Sequence, residues 1–464
     1  MLSAPQSPDT IAAISTPPGR GGIGIVRLSG PDALGIAGQL IQLGIPLEHG
    51  HARRARVLDP TDSTHTIDDA LITAFLAPNS YTGENVAEIA AHGSPVILDA
   101  LLRNALRHGA RLAAPGEFTQ RAFLSGRIDL TQAEAVNDLI AAQTLDQARV
   151  AAQQLGGALS RRVAPEKESL LYLIALLEAG MDFASGELDD VDIVPAVQIA
   201  ASIAAVQEPL EALGATFRRG QILRNGAAIA LIGPPNAGKS SLFNRLLERE
   251  RAIVTPLPGT TRDTVEESLS LAGIPLRLID TAGLRNPDGL PQTTIDIAEQ
   301  QGIARSLEAL ADADLVLLVH DATLPLSVAE QEWVESLAGR AHLLIQNKID
   351  LIPNSKLVEQ GSAIPTSALT GAGLDELREA ILAQLGAAGS LADTASLNNV
   401  RQQESIGAAL AALSSAVAAN DSSLPHELIL LDLHTALRAL DSLTGATTPD
   451  DILARIFSTF CIGK

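Results

Sequence analysis

The chain has 464 residues and a formal net charge of −21, from 33 basic and 54 acidic side chains. At about 150 residues per domain, this length predicts roughly three domains that each bury a core. The hydrophobic content of 46% excludes a wholly disordered chain. Because the acidic balance opposes non-specific attraction to phosphate backbones and anionic membranes, we expect a partner or a local basic patch to supply most of any grip on nucleic acid.

Targeting and redox signals point to the cytoplasm. No apolar run reaches the roughly 18 to 20 residues that span a bilayer, and the N-terminal sequence lacks the basic and apolar segments of a secretory signal. A single cysteine, Cys461, excludes an internal disulfide and a cysteine-rich metal site. We therefore expect a cytoplasmic protein with no membrane partner.

Four regions follow one another along the chain. Short apolar runs between glycine and proline turns predict strands in the first region, with a helix near 95–108. Helical periodicity fills the second and fourth regions, and strands alternating with helices in the third are typical of a parallel sheet covered by helices. This order favours insertion of the α/β region into one helical domain, but two separate helical domains fit the spacing equally. The predicted bounds are 1–120, 121–216, 217–384 and 385–464.

The segment GPPNAGKS, from Gly233 to Ser240, predicts a phosphate-binding loop. An apolar strand sequence (AAIALI) precedes it and an amphipathic helix sequence (SLFNRLLERE) follows it, as this loop requires. Backbone N–H groups of the glycine-rich turn and the helix N-terminus suit phosphate oxygens. We expect Lys239 to neutralise the β and γ phosphates and the Ser240 hydroxyl to ligate Mg²⁺.

Further segments, each at the end of a predicted strand or in the loop between strands, identify the nucleotide. Asp280 ends the strand PLRLID and Gly283 offers a backbone N–H near the γ-phosphate, while Thr261 in GTTRD is placed to close over the metal. Asp350 in QNKID suits the N1–H and the exocyclic amine of guanine, which adenine does not present together. These motifs in this order predict a GTP-binding domain. The predicted GTP-binding residues are Asn236, Ala237, Gly238, Lys239, Ser240, Ser241, Thr255, Pro256, Leu257, Pro258, Gly259, Thr260, Thr261, Asp280, Thr281, Ala282, Gly283, Asn347, Lys348, Ile349, Asp350, Ser367, Ala368 and Leu369.

The motif order resembles the Ras-like GTPases of the translation-factor class, with one departure. Leu284 follows DTAG, where Ras-type enzymes carry a glutamine that orients the attacking water. The side-chain carbonyl of Asn236 and the backbone carbonyls of TPLPGTT are suited to a monovalent cation beside the phosphates. Such a cation would put positive charge where an arginine finger otherwise stands. A plain turn residue is the alternative role for Asn236.

Nearly the whole chain resembles one family. The segments DTIAAISTPPGRGGIGIVRLSG, APNSYTGENVAEIAAHGSPVILDALL and APGEFTQRAFLSGRIDLTQAEAV, the GTPase motifs and the terminal FCIGK are similar to those of the MnmE (TrmE) tRNA-modification GTPases. The resemblance implies an N-terminal α+β folate-binding domain that forms a homodimer, and a Ras-like P-loop GTPase domain inserted in a helical domain. It further implies K⁺-stimulated GTP hydrolysis.

The resemblance also implies a reaction. Together with an FAD-bearing, MnmG-like partner in a heterotetramer, members install a carboxymethylaminomethyl group at C5 of the tRNA wobble uridine. A 5-formyl- or methylene-tetrahydrofolate supplies the one-carbon unit.

Site residues carried over by the resemblance fall into three groups. Glu299, upstream of GIAR, would orient the attacking water, with Asp296 as the alternative. Cys461 is either part of the modification centre or a packed residue. From the residues alone, the charges assigned to folate fit a solvated face better than a ligand site, and only the family resemblance favours the ligand site. The carried-over ligands are Asn236, Thr255, Leu257 and Thr260 for K⁺, Ser240 and Thr261 for Mg²⁺, and Arg27, Glu88, Arg127 and Lys464 for folate.

Two other motifs are rejected, and two other functions stay open. GRGGIG, from Gly19 to Gly24, precedes an apparent strand, whereas a dinucleotide-binding turn leads into a helix. CIGK is not a prenylation box, because Gly463 is not aliphatic and Lys464 is an unsuitable final residue. A GTPase switch for ribosome assembly would share the nucleotide motifs but has no use for a folate pocket or FCIGK. A folate-dependent one-carbon enzyme with GTP as effector is the other alternative.

Overall fold

The structure, a computed structural model, describes residues 9–184, 194–250, 266–280, 313–352, 363–386, 396–447 and 450–463. The chain forms two compact units, Met1–Asn137 with Asp441–Lys464, and Asp138–Leu440. No helix among the described residues is both long and apolar enough for a bilayer span. The bounds of the four predicted regions stay predictions.

The first unit is built on a seven-stranded sheet with the order β3-β4-β5-β6-β2-β1-β7. Neighbouring strands run antiparallel, except that β1 and β7 are parallel. The sequence prediction of strands in this part is confirmed. The strands are β1 Ile11–Ile14, β2 Gly21–Ser29, β3 Ile41–Gln42, β4 Ala52–Leu58, β5 Thr66–Phe75, β6 Val86–Gly93 and β7 Arg111–Leu112.

Helices α1 (Ala33–Leu40) and α2 (Pro95–Arg107) cover one face of this sheet. Val26 and Leu28 point into the apolar core beneath them. Because successive side chains of a strand point to opposite faces, Arg27 lies on the other face. There α3 (Glu117–Leu124) packs Phe118 against β1. The predicted helix near 95–108 is confirmed, whereas α1 and α3, each of 8 residues, were missed because they are too short for a clear periodicity.

Helices dominate the chain after α3, as their periodicity predicted. Apolar residues at three- and four-residue spacings form the buried stripes of α7, for example Ile199, Ile203 and Leu210. The helices are α4 Leu130–Ala141, α5 Leu145–Leu155, α6 Ala158–Ala184, α7 Ala196–Gly214 and α8 Phe217–Asn225.

A six-stranded sheet follows, with the order β13-β12-β11-β8-β10-β9. Its neighbours are parallel apart from the β9–β10 hairpin. The central strand β8 is buried at each of its six residues, which explains its unbroken apolar sequence. The elements are β8 Ala227–Ile232, α9 Lys239–Glu250, β9 Glu266–Leu271, β10 Ile274–Asp280, β11 Leu315–Asp321, α10 Val328–Ser336, β12 His342–Asn347, a short 3-10 helix Ile349–Leu351, β13 Ile364–Pro365 and α11 Leu374–Gln384.

The α/β region is inserted in one helical domain. After it come α12 (Val400–Asp421), α13 (His426–Thr444) and α14 (Asp450–Ser458), and α12 packs along α7, which precedes the insertion. Asp138 contacts both the segment that leads into the inserted region and the segment that follows it. Its carboxylate accepts hydrogen bonds from Arg224 Nε at 2.7 Å, before the insertion, and from Asn398 Nδ2 at 3.1 Å, after it. The alternative of two separate helical domains is therefore wrong.

Candidate functional site

The phosphate-binding loop connects β8 to α9, as predicted. Asn236 adopts a left-handed conformation with φ of 62°, and Gly238 follows with φ of 91°. A side chain at position 238 would collide with the Asn347 amide nitrogen, so glycine is required there. The buried Lys239 donates from Nζ to the carbonyl oxygens of Gly233 and Pro234, each at 2.8 Å. Its ammonium is thus directed into the loop, while the Ser240 side chain is exposed at the first turn of α9.

Asn347 joins the phosphate loop to the segments that the sequence assigns to guanine. Its amide nitrogen donates to the Ala237 carbonyl at 2.9 Å, and its amide oxygen accepts from the Ala368 N–H at 3.0 Å. The Ser367 hydroxyl donates to the carboxylate of Asp350, which is exposed. The structure therefore brings the loop after β8 together with the ends of β12 and β13, although Ala237 and Asn347 are 110 positions apart in the sequence.

The remaining residues of the predicted nucleotide site are only partly described. Ser241 and Ile349 lie on α9 and the short 3-10 helix, Leu369 is exposed, and Asp280 is the last residue of β10. The other predicted residues of this site lie outside the described residues, as do the alternative Asp296 and the folate candidate Lys464. The predicted nucleotide-site residues that lie outside the described residues are Thr255, Pro256, Leu257, Pro258, Gly259, Thr260, Thr261, Thr281, Ala282, Gly283 and Glu299.

A second cluster surrounds Arg27 in the first unit. Arg27 pairs with Glu88 on the adjacent strand β6, with Nε and Nη2 each 2.8 Å from Oε1. The guanidinium lies 5.6 Å from the ring centre of Phe118 and 6.0 Å from that of Tyr81. Burial raises the pKa of Tyr81 above its ordinary value of 10.0, against the opposing effects of Thr119 and Arg27, so the phenol stays protonated. The family resemblance named Arg27 and Glu88 but not their pairing, and sequence reasoning missed both aromatic rings.

The C-terminal segment lies against this cluster. The Gly463 carbonyl accepts from Ser15 Oγ at 3.0 Å and from Arg27 Nη1 at 3.4 Å. Cys461 is exposed, and its place in the modification centre stays a prediction. Arg127 is exposed beside the loop that carries Tyr81, with its Cγ 3.5 Å from where a side chain on Gly83 would begin.

A network of charges fixes α3 beside the cluster. Arg111 donates to both carboxylate oxygens of Glu117, at 2.6 and 3.0 Å. Arg121 binds Glu117, Asp9 and Glu84 at 3.0, 2.6 and 3.1 Å respectively. Partial burial opposes ionisation of Glu117, but the hydrogen bonds from Arg111, the Ala114 N–H and Arg121 outweigh it and lower its pKa below 4.5. Because α3 carries Phe118, this network positions one wall of the Arg27 cluster.

Comparisons with known proteins identify the family. A family model described as "MnmE helical domain" matches residues 130–461, and one described as "GTP-binding protein TrmE N-terminus" matches residues 10–127. The tRNA modification GTPase MnmE of Koribacter versatilis (strain Ellin345) is 51% identical over 463 residues, which cover 98% of this chain and 99% of the relative. The chain belongs to the MnmE family. An MnmE from Roseiflexus sp. (strain RS-1) is 43% identical over 475 residues, with 98% and 99% coverage.

Solved GTPase structures match only part of this MnmE-family chain. Era in complex with MgGDPNP and nucleotides 1506-1542 of 16S ribosomal RNA is 26% identical, covers 40% of this chain and 66% of that chain, and has a TM-score of 0.28. The G domain of the T. maritima FeoB iron transporter is 30% identical, with coverages of 34% and 98% and a TM-score of 0.24.

Family membership makes the chain a GTP-binding enzyme of the GTP hydrolase class that acts in tRNA modification. Membership therefore decides against the two alternatives drawn from the sequence, a switch for ribosome assembly and a folate enzyme with GTP only as effector.

Proposed function

We propose that this chain is a K⁺-stimulated GTP hydrolase. With a flavin-dependent, MnmG-like partner in a heterotetramer, it installs a carboxymethylaminomethyl group at C5 of the tRNA wobble uridine. The observation that carries the proposal is the presence, in one chain, of a GTP site and of the Arg27–Glu88 cluster against the C-terminal segment. A simple GTPase switch has no use for the second cluster.

The nucleotide site supplies positioning and charge. Lys239 would exchange its two backbone partners for phosphate oxygens, which are stronger acceptors because they are charged. Asp350 would accept the N1–H and the amine of guanine, and its carboxylate is exposed and therefore accessible to the base. Ser240, with Thr261, would hold Mg²⁺, and the exposed hydroxyl of Ser240 fits that role.

Asn236 is the described residue that fits the proposed K⁺ site. It is exposed on the phosphate loop, and its backbone adopts the left-handed conformation. Thr255, Leu257 and Thr260 would complete the ligand set. When bound, K⁺ supplies positive charge beside the phosphates as negative charge develops on them. Glu299 would orient the attacking water.

The Arg27 cluster fits a tetrahydrofolate such as the 5-formyl or methylene form. Two aromatic rings within about 6 Å of the guanidinium provide flat surfaces for a pterin. Glu88 offers a carboxylate for a paired contact with the ring N–H and amine of the pterin, a charge-assisted arrangement. Arg127 and Lys464 would attract the glutamate tail. Cys461 is exposed beside this cluster and therefore accessible to a substrate, so we propose it for the modification centre.

The proposed assembly includes a homodimer, tRNA and the FAD-bearing partner, in the cytoplasm. The sheet face that carries Arg27 and Glu88 also presents Leu71, which is 50% exposed on β5. The homodimer itself is proposed from the family resemblance. Because the net charge of −21 opposes attraction to RNA, the partner is expected to contribute most of the tRNA affinity.

GTP turnover in matched K⁺ and Na⁺ buffers tests the hydrolytic part. We expect rapid turnover only in K⁺, and loss of turnover in Lys239→Ala while the protein stays folded. Glu299→Gln should keep GTP affinity and slow turnover. Equal rates in the two buffers would remove the cation mechanism, and normal turnover of Lys239→Ala would remove the nucleotide site itself.

Two measurements test the modification part. Equilibrium dialysis with 5-formyltetrahydrofolate should show binding that is lost in Glu88→Ala but kept in Lys239→Ala. Mass spectrometry of nucleosides from cells that carry Cys461→Ser should show loss of the wobble modification while GTPase activity persists. Folate binding that is indifferent to Glu88, or full modification with Cys461→Ser, would contradict the respective assignments.

A further inference from the structure

Lys348, from the guanine motif, is held by a carboxylate that belongs to no nucleotide motif. Its Nζ lies 2.6 Å from Oδ2 of Asp321, the last residue of β11. The stem of Lys348 passes over the phosphate loop, since its Cε is 3.9 Å from where a side chain on Gly238 would begin. With this ion pair, the Lys348 side chain extends from the end of β12, across the phosphate loop, to the end of the adjacent strand β11.

The Asp321 carboxylate is itself fixed. Its Oδ1 accepts from the Thr323 N–H at 3.0 Å and from the Thr323 hydroxyl at 2.7 Å. The next residue, Ala322, donates its N–H to the Asn347 carbonyl at 2.9 Å. Partial burial opposes ionisation of Asp321, but the hydrogen bonds from Lys348 and Thr323 outweigh it and lower its pKa below 3.8. The group is thus a carboxylate at any pH near neutrality.

The turn after Asp321 is braced from its other side. His320 is buried, with Nδ1 2.8 Å from Oε1 of the buried Glu330 and Nε2 3.0 Å from the Leu324 carbonyl. Glu330 also completes a capping box with Ser327 at the start of α10. A carboxylate on a turn held at several points can act as a fixed anchor for a flexible partner.

We propose that Asp321 is a positioning residue for guanine nucleotide binding, which holds the Lys348 ammonium so that the lysine stem is ready to lie along the base. A lysine side chain loses much of its rotamer freedom when it is fixed, which opposes binding. Because the ion pair fixes it beforehand, an arriving nucleotide does not bear that cost, and its affinity is higher. This inference rests on the proposed GTP site, in which Asp350 binds the base and Lys348 is a predicted GTP-binding residue.

A double-mutant cycle on the full-length chain tests the inference. Asp321→Asn, Lys348→Met and the double variant are titrated with GDP and with ADP by calorimetry, and their thermal melting is recorded. We expect Asp321→Asn to weaken GDP binding about tenfold, in line with the loss of a charge-assisted contact, and to reduce the preference for GDP over ADP. In the Lys348→Met background the same substitution should have no further effect, because the ammonium it holds is already gone.

A matched carboxylate on the same strand serves as control. Asp314 precedes β11 at its opposite end, where its carboxylate accepts from the Ala228 N–H at 2.8 Å. Asp314→Asn should leave GDP affinity unchanged, and Asp321→Glu, which retains the charge, should recover part of the lost affinity.

Three outcomes overturn the inference, and they are distinguishable. Unchanged GDP affinity in Asp321→Asn removes the role directly. An equal loss in both backgrounds shows that Asp321 acts on the fold and not through Lys348. In both cases a weakened Lys348→Met leaves the proposed base contact intact, whereas undiminished GDP binding by Lys348→Met removes that contact and this inference with it.

Discussion

The side chain of Asn347 connects the phosphate loop to the predicted guanine segments by two hydrogen bonds, and its removal tests how much these bonds stabilise the site. Asn347→Ala leaves the Ala237 carbonyl and the Ala368 N–H without their side-chain partner. Asn347 itself is 1% exposed, so little water reaches these groups. A buried polar group that loses its partner costs about 1–3 kcal/mol. With partial relaxation of the loop, we expect a loss of about 3 kcal/mol.

The loss should appear in both stability and binding. For a region of 150–250 residues, 1 kcal/mol corresponds to roughly 2–4 °C in melting temperature, so we expect a decrease of about 6–12 °C. The relevant transition in a calorimetric scan is the one that added GDP shifts upward, because a ligand stabilises the region that binds it. GDP affinity should fall by at least about tenfold, since the phosphate loop loses its connection to β12.

The preceding residue supplies the control. Gln346 is also a buried amide on β12, but successive side chains of a strand point to opposite faces of the sheet. Gln346→Ala should therefore change the melting temperature without a comparable change in GDP affinity. If Asn347→Ala has the melting temperature and the GDP affinity of the unmodified chain, the two hydrogen bonds of Asn347 do not stabilise the site. If Gln346→Ala loses as much affinity, the effect is general destabilisation.

Two further predictions concern the first unit. Because the folded pKa of Glu117 lies below 4.5, the stability from its pairing with Arg111 is complete above that pH and is lost as the pH falls through the folded value. Thermal melting of Glu117→Gln should therefore depend less on pH between about 3 and 5, and an unaltered acid dependence would contradict this. Gly463 has a φ of 96°, and a side chain there would begin 2.5 Å from the Ile14 carbonyl. Gly463→Ala should weaken 5-formyltetrahydrofolate binding several-fold, whereas Gly22→Ala, which has open space, should not; equal binding by both would contradict the placement.

The sequence predicted the strand, loop and helix that carry the phosphate-binding motif because that motif is local. The phosphate loop needs one strand, one turn and one helix in succession, and GPPNAGKS with its flanking segments contains all three. The position of Asp350 after the strand HLLIQN follows for the same reason. The sequence analysis did not predict a role for Asp321, because that role depends on β11 lying beside β12 and no short segment encodes the strand order. Its only local signal is that it too ends a buried strand of this sheet.

The Arg27 cluster shows the opposite case, in which short motifs were recognised but their relation was not. Strand alternation already implied that Arg27 faces away from Val26 and Leu28, yet it could not say what covers that face. Phe118 is supplied by α3 and Tyr81 by the loop before β6, and neither lies within 50 positions of Arg27 in the sequence. A family resemblance supplied the names of the charges, whereas the aromatic walls required the fold.

The terminal FCIGK gains its meaning only from tertiary structure. Gly463 reaches Arg27 across a sequence separation of 436 residues, after the whole helical domain and the inserted GTPase region. Both ends of the first unit must therefore be present before the cluster is complete, although the chain between them has its own core. Truncation of the last residues should consequently abolish folate binding while GDP binding persists, which is a loss that no destabilisation of the nucleotide site would produce. Retained folate binding in such a truncated chain would show that the Arg27–Glu88 pair suffices without the C-terminal segment.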